Sequence, residues 1–115
     1  MALSEFEIKR MEKLVGAFVA RRRPEARVRS QVDLGFRVSG QSFELFEIRP
    51  HWEDPSKIIE TPVAKATYVK SKKIWKLFWM RSDMKWHGHT PCPTAASLEE
   101  ALDVIDNDAY ACFWG

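Results

Sequence analysis

Between Lys70 and Lys85 the sequence interleaves six cations, Lys70, Lys72, Lys73, Lys76, Arg81 and Lys85, with Trp75, Phe78 and Trp79, and Trp86 follows. Asp83 is the one acid in the stretch. This mixture suits nucleic acid, because ammonium and guanidinium groups hold phosphates while aromatic rings stack on unpaired bases. With His87, the cations and Phe78 form the candidate nucleic-acid-binding set. A plainer explanation serves the same residues: the tryptophans are core and the lysines are solvated. The basic patch then faces the acidic run Glu99, Glu100, Asp103, Asp106 and Asp108 of the same molecule.

A second constellation is Asp33 with Glu47-Ile48-Arg49. Two carboxylates on neighbouring strands can hold Mg²⁺ while a basic side chain steadies the attacking water, which is the chemistry of a metal-dependent nuclease. Arg49, however, stands where that arrangement wants a lysine, and the helix expected after the second strand is missing. Pairing across the turn described below also sets Asp33 opposite Ile48, so its side chain shares a face with neither Glu47 nor Arg49 unless the strand bulges. A cross-strand or surface charge set accounts for the same residues.

His87-Gly88-His89 with Cys92, and His51 elsewhere, offer imidazole and thiol ligands that zinc accepts. Structural zinc sites usually carry paired knuckles, and no second knuckle is present here, so the segment reads as a hairpin end entering a proline-rich loop. Cys112 lies in an apolar tail, where an inert buried thiol is expected. There is no Gly-rich phosphate loop and no GxSxG elbow, so no cofactor is expected.

These side chains must be positioned by a fold whose size is bounded by 115 residues, 45% apolar and 30% charged. Such values describe an ordinary globular chain, and a single domain over residues 1–115 is expected. No uncharged apolar run approaches the roughly 18 residues of a membrane span, and Glu5, Glu7 and Glu12 argue against a transit peptide. A cytoplasmic protein with no membrane partner and two free thiols follows. The net charge of +2 selects no partner, but the basic and acidic runs make the molecule bipolar.

Ser4 with Glu7 makes a capping box and Leu3 with Ile8 a hydrophobic staple, opening a helix whose apolar face is Ile8, Met11, Leu14, Val15, Phe18 and Val19. Arg21 to Arg23 suit its C-terminal end and Pro24 stops it. From Val28 to Val38 the period becomes two, which predicts a strand. A Gly40-Gln41 turn pairs Val38 with Phe43, Phe36 with Leu45 and Arg37 with Glu44, and lays Phe46 over Gly35. In that register Glu47 and Arg49 fall on the apolar side as a part-buried pair. A bulge near Phe46 would instead turn Phe46 and Ile48 inward and both charges out.

Pro50 to Pro62 reads as a polar connection, followed by a strand from Val63 to Val69. A turn at Ser71 to Lys73 leads to a tight hairpin about Ser82-Asp83, which pairs Trp79 with Trp86 and Leu77 with Gly88 on the core face. The opposite face then holds Phe78, Met80, Lys76, Lys85, His87 and His89. Ser97 with Glu100 makes a second capping box, with Leu98, Ala101, Leu102 and Ile105 inward, and the tail from Ala109 to Trp114 is too apolar to stay in water.

The runs RRRPEARVRSQVDLGFRV, GQSFELFEIRPHW, PVAKATYVKSKKIWKLFWMRSDMKWH and DNDAYACFWG, in this order and spacing, resemble from end to end a family of small bacterial proteins known only as a domain of unknown function, number 3024 in its series. The resemblance implies a bacterial, cytoplasmic setting and carries over no activity, cofactor or catalytic residue. The fold class expected is α+β: an antiparallel meander of about five strands with an N-terminal and a C-terminal helix packed on one face. Its other face is a binding surface or a homodimer interface. The leading expectation is a non-enzymatic binding module with nucleic acid as partner, against the alternatives of the nuclease and a homodimeric structural protein.

Overall fold

The computed structural model describes residues 3–108 and 112–114. Helix α1 spans Glu5–Arg22 and begins at the expected capping box: Ser4 Oγ accepts from the Glu7 N–H at 3.2 Å, and Glu7 Oε1 accepts from the Ser4 N–H at 3.5 Å. Leu3 and Ile8 both reach the core, as a staple should. Met11, Val15, Phe18 and Val19 are buried, and the helix ends at Arg23, whose N–H bonds Val19 O just before Pro24. The predicted start of the first strand is corrected. Ala26–Val28 is a short 3-10 turn, Val32 N–H bonds Val28 O at 3.0 Å, and the strand begins only at Asp33. The chain needs this turn to fold back from the helix end onto the sheet.

Strands β1 (Asp33–Ser39), β2 (Ser42–Pro50), β3 (Ile58–Val69), β4 (Ile74–Met80) and β5 (Trp86–Gly88) follow one another as an antiparallel meander, and β6 (Thr94–Ala95) also pairs with β4. The first hairpin has the predicted register, with Gly40 at φ +60° in the two-residue turn, where only glycine fits without strain. The β1–β2 ladder runs unbroken from Ser39↔Ser42 to Asp33↔Ile48. The irregularity lies on the other side of β2: Leu45 pairs with Ala64 and Phe46 with Pro62, leaving Val63 as the extra residue. Glu47 and Arg49 therefore stay on the Leu34 side, as a half-exposed pair 3.4 Å apart.

The expected polar connection up to Pro62 is also corrected, since β3 starts at Ile58. Proline is tolerated at position 62 because β4 pairs only from Ala64 onward, so no neighbour on that side needs its missing N–H.

Carried across the registers, Leu34, Phe36, Val38, Phe43, Leu45, Ala64, Ala66, Trp75, Leu77, Trp79 and Ala95 share one face. Most of them form the core with α1 and with helix α2 (Leu98–Asn107), which contributes Leu98, Ala101, Leu102 and Ile105. Both helices thus cover one sheet face, the α+β arrangement expected. They run in the same direction and are joined by Arg10–Glu99 at 2.7 Å and Arg22–Asp106 at 2.6 Å. The second capping box is only half formed. Ser97 Oγ accepts from Glu100 N–H at 3.1 Å, but Glu100 Oε2 reaches one residue further back, to the N–H of Ala96 at 2.9 Å. No described helix is long and apolar enough to cross a membrane.

The α2 terminus organises the tail. Asp108 takes the left-handed conformation at φ +42°, and its carboxylate accepts from the N–H groups of Cys112 (2.8 Å), Phe113 (3.0 Å) and Trp114 (2.8 Å). Phe113 is buried and Trp114 Nε1 donates to Ile105 O at 2.8 Å. The expected docking of the tail holds for these residues; Ala109 to Ala111 lie outside the described residues.

Candidate nucleic-acid interface

Which side chains face away from the helices is decided by the turn between β4 and β5. Instead of the two-residue turn, Arg81 N–H bonds Lys85 O and Met84 N–H bonds Arg81 O, with Met84 at φ +62° and Asp83 Oδ1 accepting from Lys85 N–H at 3.0 Å. The loop is one residue longer than predicted, so Met80 pairs with Trp86, Trp79 with His87 and Phe78 with Gly88. A one-residue shift exchanges every side chain between faces. Trp86 therefore joins Phe78 and Met80 on the uncovered face, while His87 and His89 move to the helix side.

The uncovered face is built in rows. Arg37, Glu44, Lys65, Phe78 and Gly88 form one row across five strands, and Ser39, Ser42, Thr67, Lys76 and Thr94 form the next. Phe78, Met80, Trp86 and Lys65 are partly exposed and Lys76 is exposed. Lys65 Nζ lies 6.0 Å from the Trp86 ring centroid. Of the other candidates, Lys70, Lys72 and Lys73 occupy the β3–β4 turn and Arg81 and Lys85 the β4–β5 loop. The two groups sit at opposite ends of β4, about 20 Å apart along a seven-residue strand. The basic stretch is thus a stripe, with Lys76 between its ends.

None of Lys65, Lys70, Lys72, Lys73, Lys76, Arg81 and Lys85 forms an ion pair with a described residue. The acidic helix is engaged elsewhere, Glu99 by Arg10 and Asp106 by Arg22. The plainer explanation, in which the acidic helix opposes the basic patch, is therefore not what the fold builds. Trp75 is buried and Trp79 packs against the core, as that explanation requires of them, but Trp86 is not part of that core.

The nuclease candidates Asp33, Glu47 and Arg49 all border one open cleft, but their side chains are engaged separately. Asp33 is gripped by Arg23 through two hydrogen bonds of 2.9 and 2.7 Å, which hold its carboxyl below the usual carboxylate range. Glu47 pairs with Arg49 beside an open cleft of about 260 Å³, where Arg22 stacks at 3.9 Å on the Trp114 ring. Each acid is matched to its own arginine, and the unbroken β1–β2 ladder sets Asp33 and Glu47 on alternate sides of the sheet. A convergent carboxylate pair is not assembled.

His87 Nε2 bonds Asp83 Oδ2 at 2.8 Å, whereas His89 is buried against Phe113 with its Nδ1 3.2 Å from Cys92 O. Cys92 Sγ points to Thr94 O at 3.5 Å, and His51 Nδ1 accepts from the N–H groups of Glu53 and Asp54. Among the described residues no group of three or more His, Cys, Asp or Glu side chains is placed to hold a metal ion. Burial, and secondarily the charge of Asp108, push the Cys112 thiol up, away from the reactive thiolate.

Set against known proteins, residues 3–115 match the family described as Domain of unknown function (DUF3024). The chain belongs to the DUF3024 family. No curated protein and no solved structure matches it. The description of DUF3024 assigns no activity, so function has to come from the site.

For this DUF3024 chain the sequence pattern found Lys76 and Phe78 and missed Trp86 and Lys65. Lys65 was legible, since Ala64 and Ala66 flank it on the inward side. Trp86 was not, because its side depends on Met84 adopting a conformation that glycine or asparagine normally signals.

Proposed function

We propose that this chain is a non-enzymatic binding module that holds nucleic acid on the uncovered face of its sheet. The observation that carries the reading is the set of six cations in no described ion pair, Lys70, Lys72, Lys73, Lys76, Arg81 and Lys85, strung along β4 and its two turns, with Lys65 beside them on β3 and the partly exposed rings of Phe78 and Trp86 among them. Cations committed to no internal ion pair are available to phosphates, and an uncovered sheet face with aromatic residues is a stacking platform. The reading takes the 115 residues as one cytoplasmic domain.

Fluorescence anisotropy with labelled single-stranded DNA and RNA tests it. Affinity should fall steeply with salt, and Lys76→Glu with Lys85→Glu should weaken binding and shallow the salt slope by about 0.7 per lysine. Absence of binding at low salt, or salt-independent binding, overturns the reading.

A different surface favours a homodimer as the second reading. From Ile58 to Val63 the outer edge of β3 is unpaired by any described strand; Ile58 and Ile59 on it are 69% and 39% exposed, and Trp52 in the preceding connection is 82% exposed. An open, apolar strand edge invites pairing with a second copy. Sedimentation should then report a dimer that Ile58→Lys dissociates; a wild-type monomer at high concentration removes this reading.

A further inference from the structure

We infer that the notch left by Gly88 beside Phe78 is a stacking subsite for one unpaired base, which makes single-stranded nucleic acid the ligand of this face; the inference rests on the nucleic-acid reading above. Two glycines on this sheet contrast sharply. At Gly35 an added Cβ would stand 2.7 Å from Phe46 Cε2, so the protein fills the missing side chain itself. At Gly88 an added Cβ would meet nothing within 4 Å, and the backbone there is not in the left-handed region. Neither packing nor conformation requires glycine at position 88. Its effect is to leave the flank of Phe78 bare.

The surroundings of the notch match a base and its phosphates. Phe78 lies directly across from Gly88, and Trp86 stands two residues along β5 on the same face. Lys65 flanks Phe78 on the side away from Gly88, and Lys76 lies two residues along β4. A planar ring laid over Gly88 therefore meets aromatic carbon on two sides. Both lysines then stand within about 5–8 Å of Phe78, near enough for phosphates flanking that ring. A base stacked inside a duplex cannot enter such a slot, whereas a splayed one can.

Gly88→Val tests this, because valine suits a strand, its Cβ meets nothing within 4 Å and it changes no charge. The probes are fluorescein-labelled oligothymidine and oligouridine, and a duplex of equal length. Gly88→Val should weaken binding of the single strands about tenfold, as loss of one stacked base does. Duplex affinity should be unchanged, and thermal stability should not fall. Phe78→Leu should act in the same direction on the single strands. Wild-type binding that Gly88→Val leaves intact, or weakens equally for duplex and single strand, overturns the subsite while leaving the face as a nucleic-acid surface. No salt-dependent binding by the wild type overturns both.

Discussion

The ring of Phe46 lies across the backbone of Gly35, with Phe46 Cε2 2.7 Å and Cζ 3.0 Å from the place a Cβ would occupy. The contact buries Phe46 to 7% exposure on the sheet face away from the helices, and Arg37 lies over the same ring at 4.6 Å. Gly35→Ala forces a held ring to move and should cost about 1–3 kcal/mol, read as a lowered urea midpoint. In a Phe46→Ala background the same change should cost much less, because the two nearest atoms it strikes are gone and only Ile48 Cδ1, at 3.2 Å, must give. A double-mutant cycle showing additive effects would contradict the pairing.

The tail is held by one carboxylate. Among the described residues Asp108 accepts from the N–H groups of Cys112, Phe113 and Trp114, and the segment it fixes delivers Trp114 to Arg22 and to Ile105 O. Asp108→Gly keeps the left-handed turn and removes only the acceptors, so it isolates the clamp. It should cost about 2 kcal/mol, the order of charge-assisted hydrogen bonds lost at a partly covered site. Hydrogen exchange should show the amides of Cys112, Phe113 and Trp114 losing protection together; unchanged protection would mean that packing of Phe113 alone holds the tail.

Features set by a few adjacent residues are legible in the sequence alone: the Ser4–Glu7 box, the Gly40 turn and, through it, the register that covers Gly35. Errors arise where one residue obeys tertiary context against its own preference. Met84 accepts φ +62° in the β4–β5 loop, Pro62 enters a strand because its neighbour has ended, and Val28 alternates like a strand while forming a turn. The candidate surface inherits one such error. Lys76 and Phe78 precede the loop and fall on the expected face; His87, His89 and Trp86 follow it and are all inverted. For the acids, the register that sets Asp33 and Glu47 on alternate sides was legible, but the grip of Arg23 on Asp33 was not, since it depends on α1 ending beside β1.

Acid should destabilise the fold through three carboxylates. Asp33 is lowered by its hydrogen bonds to Arg23 above all, Asp83 by the bond to His87 and then the Lys85 N–H, and Glu99 by its own N–H at the start of α2 and then by Arg10. The folded state binds these protons more weakly than the unfolded chain, so their stabilising effect is complete above the ordinary carboxylate values. It is lost as pH falls through the lowered ones, below about pH 4. Asp33→Asn should therefore be less stable than wild type at pH 7, with the difference in urea midpoint closing toward pH 2. A difference independent of pH would assign the loss to packing.

The Arg81–Lys85 loop determines whether Trp86 reaches the uncovered face, and its weak point is Met84. A non-glycine residue in the left-handed region costs about 1–2 kcal/mol, and Met84 is 65% exposed, so its side chain offsets little of that. Met84→Gly should relieve the strain while keeping the three-residue turn, stabilising the protein by about 1 kcal/mol after the entropy of the freer unfolded chain is deducted, or about 4 °C in Tm. Met84→Val places a β-branched side chain where it is most disfavoured and should push the hairpin toward the two-residue turn. That slip would carry Trp86 to the helix side and His87 out, removing a ring from beside Lys65. The sensitive readout is acrylamide quenching of tryptophan together with single-strand binding: Met84→Gly should preserve both, and Met84→Val should lower both. Equal stability of the two variants would show that the loop does not impose the register.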